Sequence, residues 1–541
     1  MRTQRPDPGT PRGSPSGSLT ASLTASLTAS LNGAQRAADL DALTTTPYVD
    51  VLVVGGGVTG TGVALDAASR GLSVALVERH DLAFGTSRFS SKLVHGGLRY
   101  LAKGGLAVAH ESAVERGILL DHTAPHLVRP LPTMIALYPH TRRRDQAIYR
   151  TGTLIGDGLR LSAHTSAATL PGSRRITRTE VLHRAPMLGR NGLRGGILYW
   201  DCQLEDDARL VVALARTAAS RGARIITRCD VVRADGHEAS LRDELTGETL
   251  SLRAGAVVNA TGVWADQLVD DIDLRPSRGS HLVLPAELLG SIRAAITIPV
   301  PGDPSRFVFA LPQPGGRVYV GVTDVPARSP IAEVPEPDEA EISSMLEVLN
   351  AVAVTPIARS DVVGVFAGLR PLLNKGSTRT ADLSRRHAVH VSSNGVVSIV
   401  GGKLTTYRQM AEDAVDTAVS TQGLHAGRCR TRRLPLVGAA PRGALDRVDA
   451  PSRLVRRYGV EAPRVVAEAY GDPELLEPLA PHIETTRAEL LFAVNHEGAL
   501  DAADLLDRRT RIGLVPAEAE IARPAVEEVL SVLTPPAPHP L

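Results

Sequence analysis

The sequence predicts an α/β fold, α+β over the whole chain, that combines a parallel sheet, a second mixed sheet and a C-terminal helical region. Three patterns carry this prediction. Residues 48–78 have the pattern of strand, glycine-rich turn, helix and strand; residues 275–330 alternate short β-rich runs with Pro and Gly; and the chain beyond residue 430 is mostly helical in pattern. Strands that alternate with helices favour a parallel sheet, whereas short runs between turn residues favour an antiparallel or mixed one.

The first of these patterns has the spacing of a dinucleotide-binding motif. An unbroken apolar run at residues 51–54, typical of a doubly buried strand, leads directly into a G-x-G-x-x-G motif. Its first glycine, Gly55, permits a tight turn; the second, Gly57, lets the backbone approach a pyrophosphate; and the third, Gly60, lets helix and strand pack closely. Glu78 ends the next apolar strand and can accept hydrogen bonds from ribose hydroxyls. The pattern therefore predicts a Rossmann-like dinucleotide site.

The remaining elements follow from periodicity and turn residues. Helices are predicted over residues 106–122, 204–220, 340–353 and 404–421, and strands over residues 223–227, 256–260 and 397–400. We expect a disordered tail over residues 1–46, because Pro, Gly, Ser, Thr and Ala dominate it. The predicted domains are a discontinuous cofactor-binding domain (47–125, 200–274 and 360–425), a substrate-binding cap domain (126–199 and 275–359) and a C-terminal helical domain (426–541).

Composition excludes several classes of function. The net charge of +2 gives no electrostatic case for a nucleic-acid partner. The three cysteines lack C-x-x-C spacing, which argues against a disulfide framework or a structural zinc site and favours a reducing, cytoplasmic location. No run of 18 apolar residues occurs, so we expect no transmembrane helix.

Three further places carry polar chemistry. Residues 86–100 concentrate hydroxyls, a histidine and cations, and residues 260–262 form a tight turn at a strand end. At residues 401–408 a glycine pair precedes a helix, whose positive end would stabilise the negative charge of a reduced flavin. Each turn alone is equally consistent with ordinary strand-to-helix geometry. The predicted cofactor contacts are Gly55, Gly57, Gly60, Glu78, Ser90, Ser91, Lys92, Ala260, Thr261, Gly262, Gly402, Lys403, Leu404 and Thr405.

Taken in order, these motifs resemble those of the FAD-dependent, aerobic sn-glycerol-3-phosphate dehydrogenases. The resemblance covers about residues 47 to 530 and rests on the segments 55–60, 90–101, 259–262, 368–372 and 401–408. It implies FAD as cofactor and transfer of the C2 hydride of glycerol 3-phosphate to flavin N5, which gives dihydroxyacetone phosphate. It also implies that membrane quinone accepts the electrons, that the protein is a homodimer, and that it binds peripherally to the inner face of the plasma membrane.

An anionic substrate is supported independently, because guanidinium groups bind phosphate bidentately. Arg99, Arg370 and Lys403 match family motif positions, whereas the surroundings of Arg385 match only loosely. His95 is the candidate general base, since histidine titrates near working pH, and His281 is the second candidate. The resemblance gives His95, Arg99, Arg370 and Lys403 as catalytic residues, and Arg99, Tyr100, His281, Arg370, Arg385 and Lys403 as substrate contacts.

Two questions stay open at this point. Family members that act at the membrane often carry an aromatic, basic amphipathic segment near residues 139–161, but here Arg142–Arg144 and Arg150 are accompanied by one aromatic residue, Tyr149. Such a segment predicts weak, salt-sensitive binding to an anionic membrane. The alternative functions are a glycerol-3-phosphate oxidase that uses oxygen, an amine or amino-acid oxidase of the same flavin fold, and a flavin-binding regulatory protein without turnover.

Overall fold

The structure is a computed structural model in which residues 29–97, 105–139, 141, 143–300, 303–327, 330–374 and 386–533 are described. It confirms the predicted fold class, with two large sheets and a C-terminal domain that is mostly helical. In chain order the strands are β1 Tyr48–Val54, β2 Val74–Val77, β3 Leu93–Val94, β4 Val128–Leu137, β5 Arg174–Ile176, β6 Gly195–Leu204, β7 Arg224–Ile226, β8 Cys229–Ala234, β9 Glu238–Asp243, β10 Thr249–Asn259, β11 Ser277–Pro285, β12 Ala295–Val300, β13 Asp303–Gln313, β14 Arg317–Gly321, β15 Val325–Pro326, β16 Gly364–Arg370, β17 Ala388–Val391, β18 Val397–Val400, β19 Pro478–Ala480 and β20 Ile483–Thr486.

The helices that periodicity predicts are present, and the structure adds helices at residues 33–45, 143–162 and 178–184. The predicted helix at 106–122 and the one at 404–421 each combine an α-helix with a short turn of different pitch. The α-helices are α1 Gly33–Thr45, α2 Val58–Ser69, α3 Leu106–Ile118, α4 Arg143–Ser162, α5 Arg178–Arg184, α6 Asp207–Ala219, α7 Glu339–Asn350, α8 Tyr407–Gln422, α9 Arg442–Leu445, α10 Ser452–Tyr458, α11 Ala462–Ala467, α12 Arg487–His496 and α13 Pro516–Leu533.

The first sheet is the parallel one that the dinucleotide motif predicts. Its strands lie in the order β17-β18-β10-β1-β2-β7, and β18, β10, β1, β2 and β7 run parallel. Helices α2, α6 and α8 pack beside it, and small residues let them approach closely. A Cβ on Gly62 of α2, for example, would lie 2.9 Å from the ring of Tyr407. Because these five strands run parallel, their carboxyl ends meet at one edge.

The second sheet is mixed, as predicted for residues 275–330. Strands β11, β14, β13 and β12 pair antiparallel, while β12 runs parallel to β4. Several of its strand pairings run across the predicted domain bounds. Strands β3 and β16, which we assigned to the cofactor-binding domain, pair with β6 and β11 of this second sheet, and β6 itself crosses the boundary at residue 200. Sheet membership depends on pairing over long sequence distances, which local patterns do not reveal.

The predicted disordered tail is wrong for residues 33–45, which form α1; residues 1–28 lie outside the described part of the chain. Asn32 caps this helix by accepting from the Gln35 N–H. The buried guanidinium of Arg36 donates to the carbonyl oxygens of Thr227 and Arg228 and pairs with Asp243. The segment therefore docks through a buried charge, which a composition dominated by small polar residues does not indicate.

The C-terminal domain is mostly helical, as predicted, and also contains the two-stranded sheet of β19 and β20. Buried ion pairs join it to the first sheet. Asp81, which follows the strand ending at Glu78, accepts from Arg508 at 2.6 Å and from Arg509 at 2.8 Å. These guanidinium groups hold the pKa of Asp81 well below its usual range, although burial alone would raise that pKa.

Replacing Arg36 by Ala should lower the free energy of unfolding by roughly 3 kcal/mol, because it leaves a mostly buried Asp243 carboxylate without its cation. Chemical denaturation followed by circular dichroism measures the change. Gln35→Ala is the matched control, since this exposed side chain lies on the same helix and should change stability by no more than about 0.5 kcal/mol. Equal stability of the two variants would contradict a docked α1.

Candidate active site

A cavity of about 810 Å³ opens at the carboxyl edge of the parallel sheet and extends to the second sheet. Nearly every predicted site residue of the described chain lines it. Arg99, Tyr100 and Arg385 lie outside the described residues, and Gly60 and Lys92 do not line the cavity. The predicted residues on its wall are Gly55, Gly57, Glu78, Ser90, Ser91, His95, Ala260, Thr261, Gly262, His281, Arg370, Gly402, Lys403, Leu404 and Thr405.

Glu78 stands at the end of β2 beside the glycine-rich turn. Its carboxylate accepts from the Gly56 N–H at 2.6 Å and from the His80 N–H at 2.9 Å. Burial raises the pKa of Glu78, while these two backbone donors oppose that rise. A partly buried carboxylate already oriented by backbone donors suits a ribose diol.

Gly57 fits the pyrophosphate of a dinucleotide on steric grounds. Its φ of −79° and ψ of −179° are extended backbone that any residue adopts. An ideal Cβ there would meet the Ser87 hydroxyl at 3.2 Å and no other protein atom closer. The fold itself therefore makes little demand for glycine at this position. A ligand that approaches the backbone at the start of α2 does make that demand.

Gly60, a predicted cofactor contact, does not line the cavity, and the structure gives it a packing role. A Cβ at this position would lie 1.9 Å from the Gly55 carbonyl oxygen. The third glycine of the motif therefore allows α2 to pack against the turn that precedes it. This is the close helix–strand approach that the motif is expected to require.

The turn after β10 is fixed by Asn259. The Asn259 side-chain oxygen accepts from the Thr261 N–H at 3.2 Å and from the Thr261 hydroxyl at 2.7 Å. Its amide group donates to the Ala265 carbonyl at 3.0 Å and to the Ser398 hydroxyl at 3.2 Å. One buried side chain thus orients Ala260–Gly262 against the neighbouring strand β18.

The turn after β18 needs both of its glycines. Gly401 and Gly402 have φ values of +80° and +70°, which only glycine adopts readily. A Cβ on Gly402 would also lie 2.3 Å from the Met410 sulfur. A 3₁₀ turn over Leu404–Thr406 then leads into α8, so the positive end of a helix dipole lies at the cavity wall. The Lys403 ammonium donates to the Ser112 hydroxyl.

His95 and Asp201 lie on the same cavity wall, although sequence reasoning missed Asp201. The Gly97 N–H donates to His95 Nδ1 at 3.2 Å. The Asp201 carboxylate accepts from the Gly96 N–H at 2.8 Å and from Arg116 at 2.6 Å. Burial raises the pKa of Asp201, against the opposing charge of Arg116. Asp201 therefore holds the turn that carries His95.

Among the predicted substrate contacts that the structure describes, His281 is the most deeply buried. Its Nε2 lies 2.8 Å from the Ser91 hydroxyl, and its ring stacks on Phe366 with centroids 4.7 Å apart. Burial lowers the pKa of His281 to about 3, with the charges of Lys92 and Arg370 adding to the effect. The imidazole is therefore neutral at physiological pH, and it acts as a hydrogen-bonding group rather than as a cation.

Lys92, also a predicted cofactor contact, does not line the cavity either. Its side chain is buried and its ammonium bonds to Asp207 at 3.0 Å, away from the cavity wall. The motif gives the position of a residue along the chain, but it does not give the direction in which the side chain points.

Within the described ranges, no group of three or more His, Cys, Asp or Glu side chains could hold a metal ion. In the same part of the chain no helix is long and apolar enough to cross a membrane. The cysteines Cys202, Cys229 and Cys429 are free, and the first two are buried.

Comparisons with known proteins agree with this geometry. A family model described as FAD dependent oxidoreductase matches residues 50–408, and one described as C-terminal domain of alpha-glycerophosphate oxidase matches residues 429–536. The chain is 52% identical over 507 residues to glycerol-3-phosphate dehydrogenase 1 of Mycobacterium bovis, an alignment that covers 92% of this chain and 98% of the relative.

More distant relatives give the same result. The chain is 36% identical over 543 residues to the mitochondrial glycerol-3-phosphate dehydrogenase of Rattus norvegicus, covering 92% of this chain and 72% of that one. The solved structure of glycerol-3-phosphate dehydrogenase from Bacillus halodurans, complexed with FAD, matches with a TM-score of 0.71 at 27% identity, covering 92% of this chain and 94% of that one. The chain therefore belongs to the family of FAD-dependent glycerol-3-phosphate dehydrogenases.

Proposed function

We propose that the protein oxidises sn-glycerol 3-phosphate to dihydroxyacetone phosphate and passes the electrons to a membrane quinone. The observation that carries the proposal is the joint placement of Arg370, Lys403, His95 and His281 on the wall of the cavity that begins at the dinucleotide motif. These four residues offer two cations for a phosphate and two imidazoles for hydroxyl groups. FAD, when bound, supplies the acceptor for the C2 hydride.

Arg370 is held in a fixed orientation, which suits recognition of a phosphate. Its Nη1 donates to the Ser277 hydroxyl at 3.2 Å and its Nη2 to the Thr323 carbonyl at 3.1 Å. A Cβ on Gly279 would lie 2.2 Å from Nη2, so this glycine makes room for the guanidinium. A guanidinium that is already oriented loses little conformational entropy when it binds an anion.

His95 is the better candidate for the general base. A base must take the C2 hydroxyl proton as the hydride leaves, and its pKa should lie near the working pH. The pKa of about 3 makes His281 a poor proton acceptor, which leaves it to hydrogen-bond the substrate. His95 lies on the same cavity and is less buried. Oriented by its bond from Gly97, it is the residue that we assign to proton removal.

Peripheral attachment to a membrane is supported by α4, the helix at the basic segment of the sequence. Ile148, Leu154, Ile155 and Leu161 are 41% to 62% exposed along its length. Arg143 and Arg144 stand exposed at its start. Apolar side chains on one exposed face, next to a basic end, suit an interfacial helix on anionic lipid. Such a helix would bring the protein to a lipid-embedded quinone.

Oxygen is the alternative electron acceptor. The C-terminal domain matches a model named after alpha-glycerophosphate oxidase, and the substrate contacts would be the same in either case. Oxygen consumption with glycerol 3-phosphate, compared with and without added quinone, separates the two. Turnover that needs quinone supports the proposal, and equal turnover on oxygen alone favours the oxidase.

Arg370→Ala should raise the apparent KM for glycerol 3-phosphate by roughly ten- to a hundredfold, since a hydrogen bond to a charged group is worth about 1.5 to 3 kcal/mol. Anaerobic bleaching of the flavin absorbance measures the effect, and the FAD content should not change. Arg278→Ala is the control, because this neighbouring arginine pairs with Asp338 and Glu341. Equal oxidation of glycerol without phosphate by the wild type would contradict the phosphate site.

His95→Gln should retain FAD yet slow its reduction by about 10²- to 10⁴-fold, because general-base assistance contributes that much. Stopped-flow mixing with glycerol 3-phosphate isolates this step from reoxidation. A rate close to that of the wild type would transfer proton removal to solvent or to another group.

Ile155→Glu should weaken binding to vesicles of anionic lipid by roughly tenfold, since it places a charge where an apolar side chain would be buried. Sedimentation at low and at high salt measures it, with more binding expected at low salt. Leu245→Glu is the control, because Leu245 is 58% exposed but lies outside α4. If neither the wild type nor Ile155→Glu sediments at low salt, the membrane proposal fails.

A further inference from the structure

We propose that Lys92 and Asp207 form a buried positioning pair that sets the Ser91 hydroxyl against His281 and so aligns the substrate end of the cavity. The inference rests on the proposed function, because it concerns how His281 is held for substrate. Neither Lys92 nor Asp207 lines the cavity. Both would act on His281 through the short segment that contains Ser91.

Asp207 is the anchor of this arrangement. It is the first residue of α6, and its Oδ2 accepts three hydrogen bonds from one short segment. The donors are the Lys92 ammonium at 3.0 Å, the Ser90 N–H at 2.9 Å and the Ser90 hydroxyl at 2.7 Å. The Lys92 and Asp207 side chains are 3% and 0% exposed, respectively, so solvent does not compete for these bonds.

Lys92 folds the segment around its own ammonium group. Nζ also donates to the carbonyl oxygens of Arg88 and Ser90, each at 3.3 Å. Its φ of +57° lies in the left-handed region, which residues other than glycine rarely adopt. A strained backbone persists only where surrounding contacts over-determine it, and such residues cluster at functional sites. Here the bonds of Nζ supply those contacts.

Ser91 transmits this arrangement to His281. It lies between the two residues that bond to Asp207, and its hydroxyl lies 2.8 Å from His281 Nε2. A second route passes through Phe366, whose ring is 5.3 Å from the Lys92 ammonium and stacks on the imidazole at an interplanar angle of 10°. Both the hydrogen bond and the stack that orient His281 therefore involve the segment that Lys92 and Asp207 hold.

Stability alone is a weak reason for such a pair. Burying two charges costs several kcal/mol per ion, and apolar replacements of buried ion pairs are often as stable. Burial lowers the pKa of Lys92 to about 8, so the ammonium stays largely protonated at neutral pH. The charge of Lys92 and the bonds from Ser90 outweigh burial and keep the pKa of Asp207 low. A costly, ionised pair behind a catalytic segment is better explained by positioning.

The test uses the FAD-loaded, full-length protein and anaerobic reduction by glycerol 3-phosphate. Asp207→Asn should lower the reduction rate constant by about a hundredfold, the effect expected of a misplacement near 1 Å, with a much smaller change in KM. Ser91→Ala should lower it to a similar extent. The double variant should be no slower than the slower single variant, because both changes remove the same constraint.

Glu461→Gln is the matched control. Glu461 pairs with Arg216, two turns further along α6, at 2.7 Å and with 3% and 2% of the side chains exposed. Its loss should lower the melting temperature and leave the reduction rate unchanged. If Asp207→Asn does not fold, Lys92→Met replaces it in the comparison of the two single variants with the double variant. Methionine is suitable because it keeps about the length of the side chain without its charge.

The outcomes separate this inference from the proposed function. If glycerol 3-phosphate does not bleach the wild-type flavin, the proposed function fails. If the wild type is bleached and Asp207→Asn reacts at the wild-type rate, the positioning pair is wrong. The positioning pair is also wrong if the double variant loses rate by the product of the two single losses, because Asp207 would then act independently of Ser91.

Discussion

The site depends on one constraint, the common direction of the strands in the first sheet. Because β1, β2, β10 and β18 run parallel, their carboxyl ends meet at a single edge. Each strand ends in a turn that carries a different part of the chemistry: the glycine-rich turn, Glu78, residues 260–262 and the glycine pair at 401–402. An antiparallel sheet would place half of these turns at the opposite edge, so the fold itself assembles the cofactor site.

Local chemistry explains what the sequence predicts well. Gly57 and Glu78 lie within one strand–helix–strand unit, where spacing alone fixes their relation to the cofactor. The turn at residues 401–402 is equally local, since both glycines are required by the backbone at that point. The family comparison confirms FAD and the fold class, and the structure gathers these residues on one cavity.

What the sequence does not predict depends on contacts between distant residues. Asp201 acts on Gly96 through the pairing of β6 with β3, and no spacing rule joins positions so far apart. Strand β16 belongs to the second sheet for the same reason. Helix α1 is held by the buried charge of Arg36. Composition does not show this contact, and by composition alone the segment resembles a disordered tail.

One strand orders the segment from residue 90 to residue 96, which carries Ser91 and His95. Strand β6 carries Asp201, pairs through residues 202 and 203 with β3, and then leads to Asp207 at the start of α6. Asp201 accepts from Gly96 beyond one end of β3, and Asp207 accepts from Ser90 before the other end. The segment from residue 90 to residue 96 is therefore fixed at both ends and in the middle by the seven residues from 201 to 207. Two carboxylates and a short β-ladder hold one segment in a single register. Ser91 near one end of that segment and His95 near the other are thus held in a fixed spatial relation, as the proposed reaction requires of its contacts.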